Sequence, residues 1–182
     1  MFCLKRLGFF LISFFAASIA IAQPEADSLS RYQLGIGDVI SIVVFGEDDL
    51  KRERLRLSDA GTIYYPMLGE LKVVGRTTDE LEKLIAEGLR GRYLVNPRVS
   101  VTVDQYRPYF INGQVGHTGA FPYQPGLNIR KAVVLAGGFK DRANKDKIFI
   151  VRDKERGSKP VRADLDTPVY PGDTITVEES FF

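Results

Sequence analysis

Residues 32–69, YQLGIGDVISIVVFGEDDLKRERLRLSDAGTIYYPMLG, pack three turn-plus-strand units into one run. Gly35, Gly37 and Asp38 make a turn, and Val39–Phe45 follows as an almost wholly apolar, β-branched strand. A strand covered on both faces reads as such a run, which predicts the central strand of a first domain. Gly46 ends it, and Glu47, Asp48 and Asp49 occupy the turn beyond. Leu55-Arg56-Leu57 alternates, Ser58-Asp59-Ala60-Gly61 turns, and Thr62–Tyr65 runs on to Pro66 and Gly69. The charge run Lys51-Arg52-Glu53-Arg54 is expected to be a solvated loop.

Upstream, the chain opens like a secretory signal. Lys5 and Arg6 give a positive start, Leu7–Phe15 an apolar stretch, and Ala20-Ile21-Ala22 an A-x-A cleavage site before Gln23. The apolar part is shorter than the roughly 20 residues a spanning helix needs. Residues 1–22 are therefore expected to be removed, and 23–31 to form a flexible mature N-terminus. The formal charge of +2 disappears with Lys5 and Arg6. A neutral mature chain argues against a nucleic-acid partner, which requires a clustered basic surface. Cys3, the only cysteine, precedes the apolar stretch, so the mature chain has no disulfide and no thiolate chemistry.

Downstream, Glu70–Val74 gives a short strand that Gly75 breaks. Thr77-Thr78-Asp79-Glu80 is a capping box, and Leu81, Leu84, Ile85 and Leu89 recur at helical spacing. Burying them stabilises by roughly 1.5–3 kcal/mol each before entropy. Gly91 stops this helix, Asn96-Pro97 turns, and Arg98–Val103 alternates as a half-buried strand. Tyr106-Arg107-Pro108 is the expected domain boundary. A second unit begins with the strand Tyr109–Val115, which includes Gly113 and Gln114. The loop Gly116-His117-Thr118-Gly119, the extended Phe121-Pro122-Tyr123 and a turn at Pro125-Gly126 follow. Asn128 caps a helix over Ile129–Ala136, which Gly137-Gly138 end. Ile148–Val151, Pro160–Ala163 and Thr174–Glu178 read as strands, with a charged hairpin at 152–158. Strand, hairpin, helix and further strands make a β-grasp order, so the fold class is α+β.

Gly37-Asp38-Val39-Ile40-Ser41-Ile42 and Gly172-Asp173-Thr174-Ile175-Thr176-Val177 share the pattern G-D-x-I-[ST]-[IV]. Each is a turn that launches a strand, with the aspartate accepting a backbone N–H inside it. By analogy with capping losses, removing either carboxylate costs about 0.5–2 kcal/mol.

These motifs carry a family resemblance. L-G-x-G-D-V-I at 34–40, F-G-E at 45–47, D-x-G-T-I at 59–63 and P-x-L-G at 66–69, with L-x-N-P-x-V-x-V at 94–101, are similar to the bacterial polysaccharide export proteins. Those are periplasmic and outer-membrane exporters of capsule and exopolysaccharide. G-x-V at 113–115, P-G-L at 125–127, A-G-G at 136–138 and P-G-D-x-I-x-V at 171–177 resemble the soluble-ligand-binding β-grasp domain that follows in that family. The resemblance implies an export domain over 32–105 and a β-grasp domain over 106–182. It also implies a non-enzymatic, homo-oligomeric ring that carries a polysaccharide, with an inner-membrane polysaccharide copolymerase, often a tyrosine kinase, as partner.

The residues themselves offer little catalysis. Glu47, Asp48 and Asp49 lack calcium-loop spacing. His117 is the only histidine, which excludes a His-rich zinc site or a Ser-His-Asp triad within one chain. Gly35-Ile36-Gly37 precedes a strand rather than a helix and is no phosphate loop. No metal or cofactor is expected. Candidate glycan or subunit contacts are Tyr64, Tyr65, Tyr109, Gln114, His117 and Tyr123. Tyr64 and Tyr65 point to opposite faces of their strand, so one belongs to the core.

Two other functions stay open at this level: a monomeric periplasmic glycan-binding module and a glycan-modifying hydrolase. Beyond Val177 only Glu178–Phe182 remain, too few for the membrane helix expected of pore-forming relatives. The expectation is a periplasmic ring, peripheral to the outer membrane, that hands its polymer to a separate outer-membrane protein.

Overall fold

The protein is described by a computed structural model over residues 32–153 and 159–180. The leader, the 23–31 segment, residues 154–158 of the expected 152–158 hairpin and the terminal Phe-Phe lie outside the described residues.

The first unit is built on β1 (Val39–Val44), with β2 (Arg52–Arg56) and β5 (Val99–Gln105) antiparallel on its two sides. Ile40, Ile42 and Val44 turn to the core and are buried. Helix α1 (Thr78–Leu89) packs against β5 through Leu81, Ile85 and Leu89, with Leu84 partly buried. Its capping box is complete: Glu80 N–H donates to Thr77 Oγ1 and Thr77 N–H to Glu80 Oε2. Glu82 on the same helix accepts the Val101 N–H at 2.8 Å, satisfying an edge-strand donor. The hairpin of β3 (Thr62–Tyr65) and β4 (Gly69–Lys72) joins this core through Ile63 and Tyr65.

The second unit has its own core. Its sheet runs β7 (Gly119–Phe121), β6 (Tyr109–Gly113), β10 (Thr174–Glu179), β8 (Ala143–Val151), β9 (Val161–Ala163). β10 lies parallel to β6 and antiparallel to β8. Helix α2 (Ile129–Leu135) buries Ile129, Ala132 and Val133 among Tyr109, Ile111, Ile148, Ile150, Ile175 and Val177. Asn128 caps it by accepting the Lys131 N–H at 3.0 Å. The chain is α+β, built as two successive units that each have their own core. No helix among the described residues is long and apolar enough to cross a membrane.

Three sequence expectations change. β1 is central but covered on one face: Ser41 and Val43 are half-buried, and Phe45 lies beyond the strand and is exposed. The 51–54 charge run is not a loop, because Arg52–Arg56 forms edge strand β2. It carries a bulge opposite Ser41, where Arg54 adopts φ +52° and donates its N–H to the Ser41 hydroxyl. β8 begins five residues earlier than Ile148, because the polar Ala143–Lys147 segment gives no apolar signal.

Candidate functional site: the junction of the two domains

Both G-D turns lie at the junction, and the carboxylates of Asp38 and Asp173 are the buried charged groups among the described residues. In the first turn, Asp38 Oδ2 accepts the Gly35 N–H at 2.7 Å, while the Asp38 N–H reaches Gly35 O at 3.2 Å. In the second, Asp173 Oδ2 accepts the Tyr170 N–H at 2.8 Å, and the Asp173 N–H reaches Tyr170 O at 3.2 Å. Gly37 and Gly172 sit at φ +92° and +86°, where a side chain would be strained. Their N–H groups donate to Leu57 O and Pro108 O, both at 3.0 Å. The two motifs therefore fold identically, as their shared sequence requires.

The boundary residue Arg107 joins the domains. Its backbone N–H donates to Asp38 Oδ1 at 2.7 Å, and its Nη1 to Tyr32 Oη at 2.8 Å and to Asp38 Oδ2 at 3.4 Å. Its Nε and Nη2 both lie 3.1 Å from Asp153 Oδ2, at the end of β8 in the other domain. Tyr32 Oη in turn donates to Asp38 Oδ2 at 2.5 Å. The Arg107 side chain is only 11% exposed, so solvent screens the Asp38 end of this network little. Gly35 makes the approach feasible: a Cβ there would stand 2.0 Å from Arg107 Nη1. A Cβ on Gly172 would stand 2.6 Å from Asp153 Oδ2.

Burial, then the bond to Asp38, holds the Tyr32 phenol far above its ordinary pKa. Tyr32, Tyr106 and Tyr123 form an edge-to-face series, with centroids 5.0 and 5.3 Å apart, across the junction. Burial pushes Tyr123 up to about 12. Asp173 is raised by burial, against the Tyr170 amide and the Arg152 guanidinium, whose Nη1 lies 2.5 Å from Oδ2. Beside the network lies a cleft of about 650 Å³ bounded by both domains. Gly35, Ile36, Gly37 and Arg56 line it from the first domain, with Arg107 and Pro108 from the linker and Phe110, Asp153 and Gly172 from the second.

The other residues singled out from the sequence lie elsewhere. Gly46 follows β1, Asp59 and Gly61 turn between β2 and β3, Pro66 and Gly69 form the β3–β4 tip, and Pro97 is buried before β5. Gly113 has no room for a side chain, since a Cβ would stand 2.0 Å from Val177 O. Gly126 turns ahead of α2. Gly137 and Gly138 end it, the Gly138 N–H returning to Val133 O at 2.8 Å. Tyr64 is 79% exposed, whereas Tyr65 and Tyr109 are wholly buried. Those two are corrected from contact candidates to core residues, Tyr65 anchoring its hydroxyl on Leu50 O at 2.8 Å. Gln114 is half-buried and its backbone is bonded to Val177 and Lys140. His117 is exposed in its loop, and Tyr123 belongs to the junction. Sequence reasoning assigned no role to Tyr32, Arg107, Arg152 or Asp153. The only available signal was one arginine in the boundary tripeptide.

Residues 26–104 match the family described as polysaccharide biosynthesis/export protein, and residues 108–163 match the SLBB domain. The chain belongs to the polysaccharide biosynthesis/export protein family. It is 31% identical over 161 residues to the exopolysaccharide production protein ExoF of Rhizobium meliloti (strain 1021), covering 77% of this chain and 37% of that one. It is 28% identical over 120 residues to the EPS I polysaccharide export outer membrane protein EpsA of Ralstonia nicotianae, covering 53% of this chain and 31% of that one. The chain thus spans about a third of the length of the curated relatives it matches. For an export-family chain, the network at Arg107 lies where the two family-defining domains meet.

Proposed function

We infer that this protein is a non-enzymatic, periplasmic component of a capsule or exopolysaccharide export machine, and that it oligomerises into a ring through which the polymer moves. The observation that carries the reading is the tandem of the two family domains in one chain, 26–104 and 108–163. A ring needs two different patches that meet head to tail between neighbours. The chain offers exposed apolar residues on each domain: Tyr64, Met67 and Val95 on the first, Val134 and Leu135 on the second. The leader at 1–22 supports delivery to the periplasm. A ring acts through shape and a polar lumen, and transport along it requires no bond-making residue. The partners in this reading are an inner-membrane polysaccharide copolymerase and a separate outer-membrane protein, with the ring peripheral to the outer membrane.

Two measurements test it together. Light scattering on the mature protein should give a discrete multiple of the monomer mass, and deleting the gene should abolish extracellular polymer while intracellular synthesis continues. A strictly monomeric protein would remove the ring. Normal polymer export by the deletion strain would remove the export role itself.

A further inference from the structure

The junction cleft has a chemistry that domain locking does not use. Phe110 is 44% exposed, and its cross-strand neighbours on the two sides are the small residues Ala120 and Thr174. Close to half of the side chain is left open to solvent. Ile36, 49% exposed, and Pro108 extend this apolar surface. On the rim, Arg56 forms no ion pair among the described residues, and its Nη1 makes only a long 3.4 Å contact with Gly37 O. Asp153 is half-exposed and gives Oδ2 to Arg107, which leaves Oδ1 as an acceptor. Gly35, Gly37 and Gly172 bring bare backbone to the same walls.

A pyranose ring has the complementary pattern: an apolar C–H face bordered by hydroxyls. An exposed aromatic face takes the first part. A guanidinium and a carboxylate take the second, as charged groups that donate to and accept from neighbouring hydroxyls. Clefts between domains are also where such sites recur. We propose that the cleft bounded by Phe110, Arg56 and Asp153 is a saccharide subsite that holds a short segment of the transported polymer. The proposal rests on the export reading and adds to it where the polymer touches the chain. Phe110 stacks on the sugar, Arg56 donates to its hydroxyls or to a uronate carboxylate, and Asp153 accepts from a hydroxyl. Arg107 positions Asp153 and does not itself contact the sugar. A site that crosses the junction also makes binding sensitive to the angle between the domains.

The test is an amide-shift titration of the isotope-labelled mature protein. The probe is a pool of short oligosaccharides made by partial hydrolysis of the source bacterium's own extracellular polysaccharide. Shifts should concentrate on Gly35, Gly37, Arg56, Phe110, Asp153 and Gly172. Phe110→Ala and Arg56→Ala should each weaken binding about tenfold. Arg56 is exposed, so its variants should not change the melting temperature, and Arg56→Lys should recover part of the loss. Phe110→Ala gives up the buried part of its ring, so its binding is read well below its own melting temperature. Shifts confined to another surface, such as the β3–β4 hairpin around Tyr64, would overturn the subsite. So would no shift at saturating probe, wild-type affinity in both variants, or a cleft that responds only to a partner protein. If the subsite fails while the deletion strain still cannot export polymer, the export reading stands without it.

Discussion

Replacing Asp38 with alanine should be far more damaging than a lost turn bond. Four donors converge on this carboxylate: the Gly35 and Arg107 amides, the Tyr32 hydroxyl and Arg107 Nη1. Its side chain is wholly buried, and that of Arg107 is 11% exposed. Each amide left without an acceptor costs about 1–3 kcal/mol, and breaking a buried pair from one side costs about 3–5 kcal/mol. Arg107 keeps Asp153, so a loss of about 4 kcal/mol is expected. In a chain of this size that lowers Tm by about 8–16 °C. Asp173→Ala leaves the Tyr170 amide without its acceptor and removes one Arg152 contact, but Arg152 keeps Pro168 O at 3.0 Å, and its side chain is 31% exposed and can recruit water. About 2 kcal/mol is expected there. Asp38→Asn keeps an acceptor oxygen without the charge and should fall between wild type and Asp38→Ala. Thermal and urea melts of the mature protein give the comparison. Equal, small losses below about 1 kcal/mol for both alanine variants would refute the reasoning, because the two turns would then act as ordinary caps.

Gly35→Ala should leave both domains folded, since Gly35 is not in the left-handed region, but should displace the Arg107 guanidinium from a Cβ 2.0 Å away. Spin labels on the exposed Lys83 and Asp146, one per domain, should report a broader distance distribution than in wild type. An unchanged distribution would mean that Arg107 does not set the domain angle. Burial pushes Tyr109 and Tyr123 each up to about 12 from an ordinary value near 10. Between those values the native state holds protons that the unfolded chain has lost, so stability should fall as pH rises from 10 to 12. The urea midpoint should follow that fall, and Tyr123→Phe should make it shallower.

Much of the fold was legible because it is written in short-range patterns. The β-branched run of β1, the Thr77–Glu80 capping box, the Asn128 cap and the Gly137-Gly138 stop each concern residues a few positions apart. β2 was misread because an edge strand with four charged residues out of five is charged for its own reasons: Lys and Arg discourage edge-to-edge pairing, and the same residues suit a loop. The first half of β8 was missed for a related reason, since its exposed residues carry no alternation. The repeated aspartate was found and its turn bond foreseen. Its arginine was not, because Arg107 lies 69 residues from Asp38, and no local pattern encodes that distance. Of the six contact candidates, Tyr65 and Tyr109 show the limit of strand alternation. It says that adjacent residues face apart, but not which face the rest of the chain covers.

The arginines do follow a rule once the strand pairing is known. Each G-D turn launches a strand whose antiparallel neighbour ends beside the start of that strand. β5 runs back along β1 until Gln105 pairs with Val39, and Arg107 follows two residues later. β8 runs back along β10 until Val151 pairs with Thr174, and Arg152 is the next residue. In both domains the returning strand thus delivers a guanidinium to the carboxylate at the head of its partner. Asp153 adds the step that joins them. It comes one residue after Arg152, lies against Gly172 in the second turn, and reaches Arg107 of the first. One local device, used twice, therefore supplies both the internal brace of each domain and the contact between them. Any shift in the end of β8 must then reach both aspartates together.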